Sequence, residues 1–574
     1  MLLGAWTAGA LPASEAQAAK ATAATVAALP RQATKGRGAR VPFVEYEAEN
    51  GVTNGRVIGP DRTFTSLAAE ASGRRAVLLE SVGGFVEFVL GAPANAVTLR
   101  YALPEPATGG GATGEIALIA DGVRLGTLSL TSRFGWLYGP YPFTHRPADG
   151  KPHHFFDEAR LRLNRTLPAG TRVRFVIEKP GQPSPIALDL ADFEVVGPPL
   201  ARPAGAISIL DFGADPTGAR ESSAAITTAL EAGQGRTVWI DPGDYRVEGH
   251  LIVDRVTLAG AGPWYSTLGG RGVGVFGRRS AGGSRDVVLR DFAIIGEVDA
   301  RDDTAPLAGV GGSMSDSLIS DLWIQHTKGG LWFDGPMARV TVRGLRILDQ
   351  AADGLNFDGG VTDAVVEDTF VRNSGDDGLA SWSHRLENRR IVFRRNTIIA
   401  PILANGVAAY GGRDITISDN LVADTLTEGG GLHLGARFSA TPFAGKIVIT
   451  RNTAVRAGGR NRSGREGVGA LWIDALEGPI SGATIQVQDT DLLDSSYAAI
   501  QLMGQTITGL SFVRVQIDGA GSSALQLRAK GRASFTAVTA RNLGAAGVED
   551  CGSGFEVVRG PGDQGWDPTA CPAR

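Results

Sequence analysis

The sequence predicts an all-β protein in which a β-sandwich of the jelly-roll type precedes a right-handed parallel β-helix. In the C-terminal part of the chain, apolar residues recur mostly every 23–27 residues, and each repeat holds three short apolar segments. Coils of about 22–25 residues with three strands each are typical of a parallel β-helix. Before this repeat, residues 41–197 contain short alternating apolar runs between Gly- and Pro-rich turns, which is the pattern of an antiparallel sandwich.

The composition indicates a large folded protein. The 574 residues exceed one ordinary domain, and 43% hydrophobic content with 9 tryptophans argues against disorder. The 60 acidic and 56 basic residues are mixed along the chain and leave a net charge of −4, so neither a nucleic-acid partner nor a membrane surface is indicated. The sequence has no run of about 18 apolar residues, and no membrane span is predicted. We expect a monomer.

Residues 1–40 are predicted to be a signal and flexible leader. A short apolar run ends in the small-residue pattern Ala16-Gln17-Ala18, which is typical of the end of a secretory signal. The positive region that usually begins such a signal is missing, since the first basic residue is Lys20. We expect a secreted, extracellular protein; the alternative is an Ala-rich leader without an export function.

Four further segments follow the leader. The sandwich is predicted at residues 41–197, a stiff Pro-rich linker at 198–205, the β-helix at 206–549 and a tail at 550–574. The two cysteines, Cys551 and Cys571, both lie in the tail. They are expected to form a disulfide in an oxidising compartment, and two free thiols are the alternative.

The β-helix is predicted to begin with a cap. The opening Asp211-Phe212-Gly213-Ala214, an amphipathic segment at 222–232 and the turn Pro242-Gly243-Asp244-Tyr245 resemble the N-terminal cap of pectate-lyase-like right-handed β-helices. A solenoid exposes an open apolar end, and a helix laid across it covers that end.

The coil repeat is defined by one apolar anchor residue in each coil. Most anchors are followed five residues later by another apolar residue, and then by a polar or Gly-rich turn and a third strand. Longer intervals at two anchors indicate loop insertions, which often edge a binding groove. The anchors are Ile319, Val342, Val366, Phe393, Ile417, Ile449, Val487, Phe512 and Phe535.

Three aspartates occupy corresponding places in two adjacent coils. Asp353 and Asp377 each lie 11 residues after their anchors, and Asp376 lies 10 residues after its anchor. Neighbouring coils place such residues about 5 Å apart. Like charges at that distance raise at least one pKa, which favours a proton donor beside ionised carboxylates. The alternative is that these Asp-Gly pairs only form turns.

The same residues carry a family resemblance. Asp353-Gly354-Leu355-Asn356, followed one coil later by Asn373-Ser374-Gly375-Asp376-Asp377-Gly378, resembles the α-1,3-glucanase and mycodextranase family, glycoside hydrolase family 87. The resemblance covers most of residues 206–549. It implies an inverting hydrolase of α-1,3 or alternating α-1,3/α-1,4 glucosidic linkages, with a polysaccharide partner and no cofactor for catalysis.

The resemblance also implies roles for the three aspartates. Asp376 is expected to be the general acid, and Asp353 and Asp377 to hold the water as the base. Inversion predicts an acid–base separation of about 6.5–9.5 Å. That distance requires Asp376 to point away from the pair formed by Asp353 and Asp377.

Other residues expected on the same face of the β-helix as the three aspartates are candidates for substrate binding. Asp358, Trp382 and His433 each lie 16 residues after their anchors, which predicts one ladder. Trp382 could stack on a sugar ring and His433 could donate to a hydroxyl; the alternative is a solvated strand edge with one buried ring. Tyr410 and Trp472 are further substrate-binding candidates. Weaker ones are Trp332, His384, Glu428, Arg437 and Asp474.

The sandwich resembles carbohydrate-binding modules of families 6 and 35. That resemblance implies a structural Ca²⁺ held by Glu47, Glu49 and Asp189, since carboxylates at i and i+2 share a strand face and hard oxygen ligands suit calcium. Solvated glutamates on an edge strand are the alternative. A loop containing Trp136, Tyr138 and Tyr141 could form a sugar platform or pack inward.

Two other functions fit the same fold. A polysaccharide lyase or epimerase acting on a uronate needs a base and cations for the substrate carboxylate, whereas the predicted groove is acidic. A non-catalytic glycan-binding solenoid is also possible, because fold alone does not define activity.

Overall fold

The computed structural model describes residues 35–141, 143–279, 282–460, 466–545 and 547–567. These residues form a β-sandwich followed by a parallel β-helix, which confirms the predicted all-β fold. The predicted signal, residues 1–19, lies outside the described residues. Among the described helices, none is long and apolar enough to cross a membrane.

The sandwich consists of two antiparallel sheets. Their inner faces meet in a core that includes Tyr46, Phe88 and Phe175. Short 3-10 turns lie at Ala48–Asn50, Ala68–Glu70, Ser72–Arg74 and Pro147–Asp149. The first sheet contains Phe43–Glu47, Arg56–Ile58, Ala76–Leu79, Ala94–Ala102, Asp157–Leu167 and Ile186–Glu194, and the second contains Val52–Thr53, Phe85–Val89, Thr113–Ala120, Val123–Thr131 and Arg172–Val176.

The β-helix has a cap and three strand positions in most coils. The cap consists of a 3-10 turn, Ile209–Phe212, and the α-helix Ser223–Ala232, whose Ile226 and Leu230 are buried in the solenoid core. One face is a 12-stranded parallel sheet with strands Gly243–Arg246, Ser266–Gly270, Ala293–Gly296, Trp323–Gln325, Arg346–Gln350, Phe370–Ser374, Thr397–Ile399, Leu421–Ala423, Thr453–Val455, Asp491–Ser495, Gln516–Ala520 and Thr539–Leu543.

The other two faces are joined in one 26-stranded sheet, and a two-stranded ribbon pairs Ser284–Arg285 with Met314–Ser315. The 26 strands are Ile207–Ser208, Thr237–Ile240, His250–Ile252, Thr257–Gly260, Gly274–Phe276, Val288–Arg290, Ala308–Gly312, Ser317–Ser320, Gly329–Asp334, Met337–Ala338, Val340–Arg343, Leu355–Asp358, Val361–Glu367, Leu379–Trp382, Arg389–Arg394, Val407–Tyr410, Gly412–Arg413, Thr416–Ser418, Leu432–Gly435, Phe443–Thr450, Leu471–Ala475, Ala483–Gln488, Ile500–Val513, Leu525–Thr536, Val548–Asp550 and Phe555–Arg559.

The predicted anchors form one continuous ladder. From Ile319 to Phe535, each anchor pairs in register with the next and points into the core. Stacked apolar side chains of this kind bury a continuous core along the solenoid axis, which no single coil could form alone.

The C-terminal end of the solenoid extends beyond the predicted boundary at residue 549. The strand Phe555–Arg559 pairs with the preceding coil, and the buried Trp566 packs on Phe535 with ring centroids 5.0 Å apart. This ring closes the apolar end of the stack. Cys551 is disulfide-bonded, whereas Cys571, its predicted partner, lies outside the described residues.

The sandwich packs against the 12-stranded face through buried charges. Arg372 of the β-helix is fully buried and donates to Glu158 of the sandwich at 2.6 and 2.8 Å and to Asp192 at 2.7 Å. Beside it, His326 contacts Asp157 at 2.7 Å. Such contacts fix the orientation of the sandwich relative to the coils that hold the acidic cluster.

Candidate active site

The three predicted aspartates come together where two adjacent coils turn from the 12-stranded face to the next strand. Leu355 pairs with Leu379, so Asp353 and Asp377, two residues before them, occupy equivalent positions. Asp376 lies one residue earlier on the second coil. For each pair in this trio, carboxylate oxygens lie within 4.8 Å of one another.

The three side chains converge more closely than the prediction that Asp376 points away from Asp353 and Asp377. One carboxylate oxygen of each residue lies within 4.8 Å of the others, while Asp376 Oδ2 is turned toward Arg301. The backbone N–H of Asp377 explains the convergence, since it donates to Asp353 Oδ1 and to Asp376 Oδ1, each at 3.0 Å. One turn amide therefore holds two carboxylates together.

Buried donors hold the other oxygens of the trio. Asn356 Nδ2 donates to Asp353 Oδ2 at 2.7 Å. Asp377 Oδ1 accepts from the backbone N–H and Nδ2 of Asn405 at 2.8 and 2.9 Å, and Tyr410 OH donates to Asp377 Oδ2 at 2.9 Å. Tyr410, predicted to bind substrate, is thus a direct partner of a carboxylate.

Burial and mutual repulsion change the proton affinity of the trio. Burial, followed by the charges of Asp376 and Asp377, raises the pKa of Asp353 well above its ordinary value. Burial and the charge of Asp376 raise the pKa of Asp377 to about 7, against the hydrogen bonds from Asn405 and Tyr410. The trio can therefore hold a proton near neutral pH.

Asp376 has a cationic partner that the sequence did not reveal. Arg301 Nη2 lies 2.6 Å from Asp376 Oδ2, and Arg301 Nε donates to Asp303 Oδ1 at 2.8 Å. Arg301 and Asp303 belong to a long loop between the strands Ala293–Gly296 and Ala308–Gly312. With 21% of its side chain exposed, Asp376 is the most accessible member of the trio.

The trio lies in a cleft of about 600 Å³. Its walls carry carboxylates, cations and aromatic rings, a combination that suits the hydroxyl groups and apolar faces of sugar rings. Residues lining the cleft include Tyr141, Arg279, Arg301, Asp303, Lys328, Trp332, Asp353, Asn356, Asp358, Asp376, Asp377, Trp382, His384, Asn405, Tyr410, Glu428, Arg437, Phe438 and Trp472.

The predicted ladder of Asp358, Trp382 and His433 is correct for two of its members. Asp358 pairs with Trp382, and Trp382 pairs with Tyr410. His433 pairs instead with Ala408, because the turn before it is two residues longer than in the coil of Trp382. His433 is fully buried against the rings of Tyr410 and Trp472, with Nδ1 3.2 Å from the carbonyl of Trp472.

Two tryptophans, Trp382 and Trp472, line the cleft. The Trp382 ring stacks on His384 with centroids 4.2 Å apart, and its Nε1 donates to the carbonyl of Phe438 at 2.9 Å. Trp472 also lines the cleft, and its buried Nε1 has no acceptor among the described residues. Both rings are positioned to contact a chain that runs along the cleft.

The sandwich loop divides between core and cleft. Trp136 packs inward, with Nε1 donating to the carbonyl of Leu103 at 2.7 Å, and Tyr138 is buried. Tyr141 lines the cleft instead. The sandwich therefore supplies part of the cleft wall.

The predicted calcium ligands have a mixed geometry. The first strand ends at Glu47, and Glu49 lies in the 3-10 turn Ala48–Asn50, so the prediction that both share a strand face is wrong. Asp189 is paired with Arg100 and accepts from the backbone N–H of Ser72 at 3.1 Å. Buried Oε2 atoms of Glu47 and Glu49 have no partner among the described residues, and a buried polar atom without a partner is costly.

Converging carboxyl groups in an aromatic-lined cleft on a β-helix are the arrangement expected of a glycoside hydrolase. Comparison with family models gives the same class: residues 40–196 match the α-1,3-glucanase catalytic domain D1, and residues 217–459 match the α-1,3-glucanase catalytic domain D2.

Solved structures resemble almost the whole chain. The catalytic unit of a thermostable GH87 α-1,3-glucanase from Streptomyces thermodiastaticus strain HF3-3 is 39% identical, with 92% of this chain and 98% of that chain covered and a TM-score of 0.84. The catalytic domain of a GH87 α-1,3-glucanase in complex with nigerose is 26% identical, with coverage of 92% and 100% and a TM-score of 0.81. The chain belongs to glycoside hydrolase family 87, the α-1,3-glucanases. A comparison with curated proteins gave no match.

Proposed function

We propose that the protein is an exported, inverting hydrolase that cleaves α-1,3 or alternating α-1,3/α-1,4 glucosidic linkages with Asp353, Asp376 and Asp377. The observation that carries this proposal is the convergence of the three carboxylates within 4.8 Å at the cleft. Acid and base catalysis at a glycosidic bond requires carboxyl groups in different protonation states, and the burial of this trio favours that condition.

Asp376 is proposed as the general acid. Its side chain is the most exposed of the three and faces the cleft, where it can reach a glycosidic oxygen. Arg301 would stabilise the carboxylate that remains after the proton is delivered. In the free protein, the raised pKa of Asp353 places a retained proton there, and the close spacing of the carboxylates allows it to move to Asp376.

Asp353 and Asp377 are proposed to orient the attacking water. Asn356 fixes Asp353, and Asn405 with Tyr410 fixes Asp377, so both carboxylates are held rigidly for that role. Inversion is proposed from the family resemblance, since the close approach of the carboxylates does not by itself require it.

Variants of the structural neighbours support the assignment of the trio. Solved GH87 α-1,3-glucanase catalytic domains, about 25–26% identical to this chain, carry single Asp-to-Ala changes at three positions, and two of these variants were captured with tetrasaccharides. The three positions are separated by 23 residues and by one residue. Asp353, Asp376 and Asp377 have the same spacing.

The proposal is tested by substrate and by stereochemistry. The protein is incubated with α-1,3-glucan, nigeran, dextran and polygalacturonate, and the anomers of the products are followed by NMR. Cleavage of α-1,3-glucan or nigeran with initial release of the inverted anomer is expected. Unsaturated products from polygalacturonate would instead indicate a lyase.

Three variants test the site itself. Asp353→Asn, Asp376→Asn and Asp377→Asn are each expected to lower kcat by at least about 100-fold, because each removes a charge or proton used in the reaction. Asp363→Asn is the matched control, since Asp363 lies outside the cleft and pairs on the surface with Arg390. Full activity in any of the three cleft variants would remove that residue from the proposed site.

The calcium proposal is retained for Glu47 and Glu49 alone. A bound cation would satisfy their orphaned Oε2 atoms and offset the mutual repulsion of the buried carboxylates. Isothermal titration calorimetry, in which calcium is added to chelator-treated protein, tests this proposal through the heat of binding. A matched titration of Glu47→Gln should show no heat.

A further inference from the structure

Tyr141 of the sandwich is connected to Asp376 of the trio by three successive contacts through Asp303 and Arg301, which we call the relay. Tyr141 OH donates to Asp303 Oδ2, Asp303 Oδ1 accepts from Arg301 Nε at 2.8 Å, and Arg301 Nη2 lies 2.6 Å from Asp376 Oδ2. The relay begins in the sandwich and ends at the proposed general acid of the β-helix. All four residues line the cleft.

The two middle residues of the relay, Arg301 and Asp303, are held in place by their neighbours. The Arg301 side chain is only 8% exposed, and its guanidinium lies 4.9 Å from the centroid of the Tyr141 ring. Lys328 Nζ donates to the carbonyl of Asp303 at 3.2 Å and to the carbonyl of Ala305. The loop that carries Arg301 is therefore fastened to the coil beside Asp353.

The sandwich also holds that loop at a second point. Arg133, at the other end of the Tyr141 loop, donates from Nε to Asp299 Oδ2 at 2.9 Å. Arg133 is partly exposed, so this pair contributes little energy. It nevertheless places the two loops side by side, with the Tyr141 hydroxyl aimed at Asp303.

Asp303 and Arg301 keep their charges at neutral pH. Burial acts against ionisation of Asp303, but the hydrogen bond from Tyr141 and the charge of Arg301 lower its pKa. Burial likewise opposes the charge on Arg301, and Asp376 and Asp303 raise its pKa. A permanently charged planar fork therefore lies between two carboxylates, a geometry that lysine cannot reproduce.

We propose that Tyr141 of the sandwich is a positioning residue for catalysis, which holds Arg301 through Asp303 so that Arg301 fixes Asp376 against the glycosidic bond. This inference rests on the proposed function of the trio. The sandwich is then a part of the active site, and this role is separate from any glycan binding by the sandwich. The hydroxyl of Tyr141, and not its ring, is the part that matters.

The test compares substitutions that separate the hydroxyl from the ring. Tyr141→Phe keeps the ring and is expected to lower kcat on α-1,3-glucan about two- to tenfold with little change in KM, the effect of one lost hydrogen bond. Tyr138→Phe, in the same loop but buried away from the cleft, should match the wild type. Thermal unfolding midpoints of both variants should agree with the wild type.

Substitutions of Arg301 separate its charge from its fork. Arg301→Lys keeps the charge but cannot bind both carboxylates, so kcat should fall about 100-fold by misplacement of Asp376 while the pH profile stays near that of the wild type. Arg301→Gln removes a charge that lowers the pKa of Asp353. Its pH profile should move to higher pH as well.

Each result distinguishes the relay from the proposed function. A wild-type kcat for Tyr141→Phe, together with a raised KM for Tyr141→Ala, would overturn the relay and make the ring a sugar-binding surface. Equal losses in Tyr141→Phe and Tyr138→Phe would also overturn it. Activity retained in Asp376→Asn would instead refute the proposed function, whatever the Tyr141 variants show.

Discussion

Replacing Tyr410 by phenylalanine should move the acidic limb of the pH–activity profile to higher pH. Tyr410 OH donates to Asp377 Oδ2 at 2.9 Å, and Asp377 has two further donors, both from Asn405. The pKa of Asp377 is about 7 with these bonds in place. A hydrogen bond to the ionised carboxylate stabilises that form, so its loss must raise the pKa.

The size of the shift follows from the lost bond. A hydrogen bond to a charged group contributes about 1.5–3 kcal/mol, and one pKa unit corresponds to about 1.4 kcal/mol. Two donors from Asn405 remain on Asp377, so we expect the lower end, a shift of about one unit. Below the limb, kcat/KM should fall about tenfold relative to wild type, and near pH 9 the two enzymes should be similar.

The assay is kcat/KM on soluble α-1,3-glucan oligosaccharides from about pH 4 to about pH 9. Because the three carboxyl groups titrate together, the limb gives an apparent pKa of the trio. Tyr245→Phe is the matched control: it loses a buried tyrosine bond to the Asp241 carbonyl, 3.1 Å long, in the first strand of the 12-stranded face, outside the cleft. An unshifted limb in Tyr410→Phe, with Asp377→Asn still inactive, would refute the coupling of Tyr410 to the base.

Three further predictions concern the interface, the cleft and the effect of pH on stability. Arg372→Met leaves buried carboxylates without their cation and should cost about 3–5 kcal/mol in urea unfolding, whereas Arg390→Met, which breaks an exposed pair, should cost less than about 1 kcal/mol. Trp382→Ala should raise KM about two- to tenfold with kcat unchanged, since stacking contributes about 0.5–1.5 kcal/mol; a fall in kcat alone would contradict a binding role. Burial and the charges of Glu158 and Asp157 raise the pKa of Asp349, so the folded state keeps a proton that the unfolded state releases, and stability should fall as pH rises above the ordinary aspartate range. Asp349→Asn should flatten that dependence, and an identical slope would show that another group is responsible.

The sequence predicted the repeating part of the molecule because one physical rule fixes it. Each anchor must stack on the next to bury the core, so the interval between Val342 and Val366 also sets the positions of Asp353 and Asp377. His433 was displaced because the turn before it is two residues longer. Counting from an anchor holds only while every turn between anchor and target keeps its length.

The parts that the sequence did not predict depend on contacts between non-repeating segments. Arg301 lies in a long loop with no periodic pattern, and its partner Asp376 is 75 residues away. A loop inserted between two short strands often edges a binding groove, but the sequence does not show which of its side chains enters the groove. Tyr141 was recognised as a possible sugar contact, yet its hydrogen bond to Asp303 depends on how two modules dock.

That docking favours a single catalytic unit formed by the sandwich and the β-helix together. A detachable binding module would be joined mainly by its linker and by a polar, exposed interface. Here Arg372 is fully buried among sandwich carboxylates, and the D1 family match covers the whole sandwich as part of the α-1,3-glucanase catalytic domain. Because the same interface sets the distance from Tyr141 to Asp303, weakening it through Arg372→Met should lower kcat at temperatures where the protein is still folded. Unchanged kcat in that variant would show that the two modules fold together without sharing the chemistry.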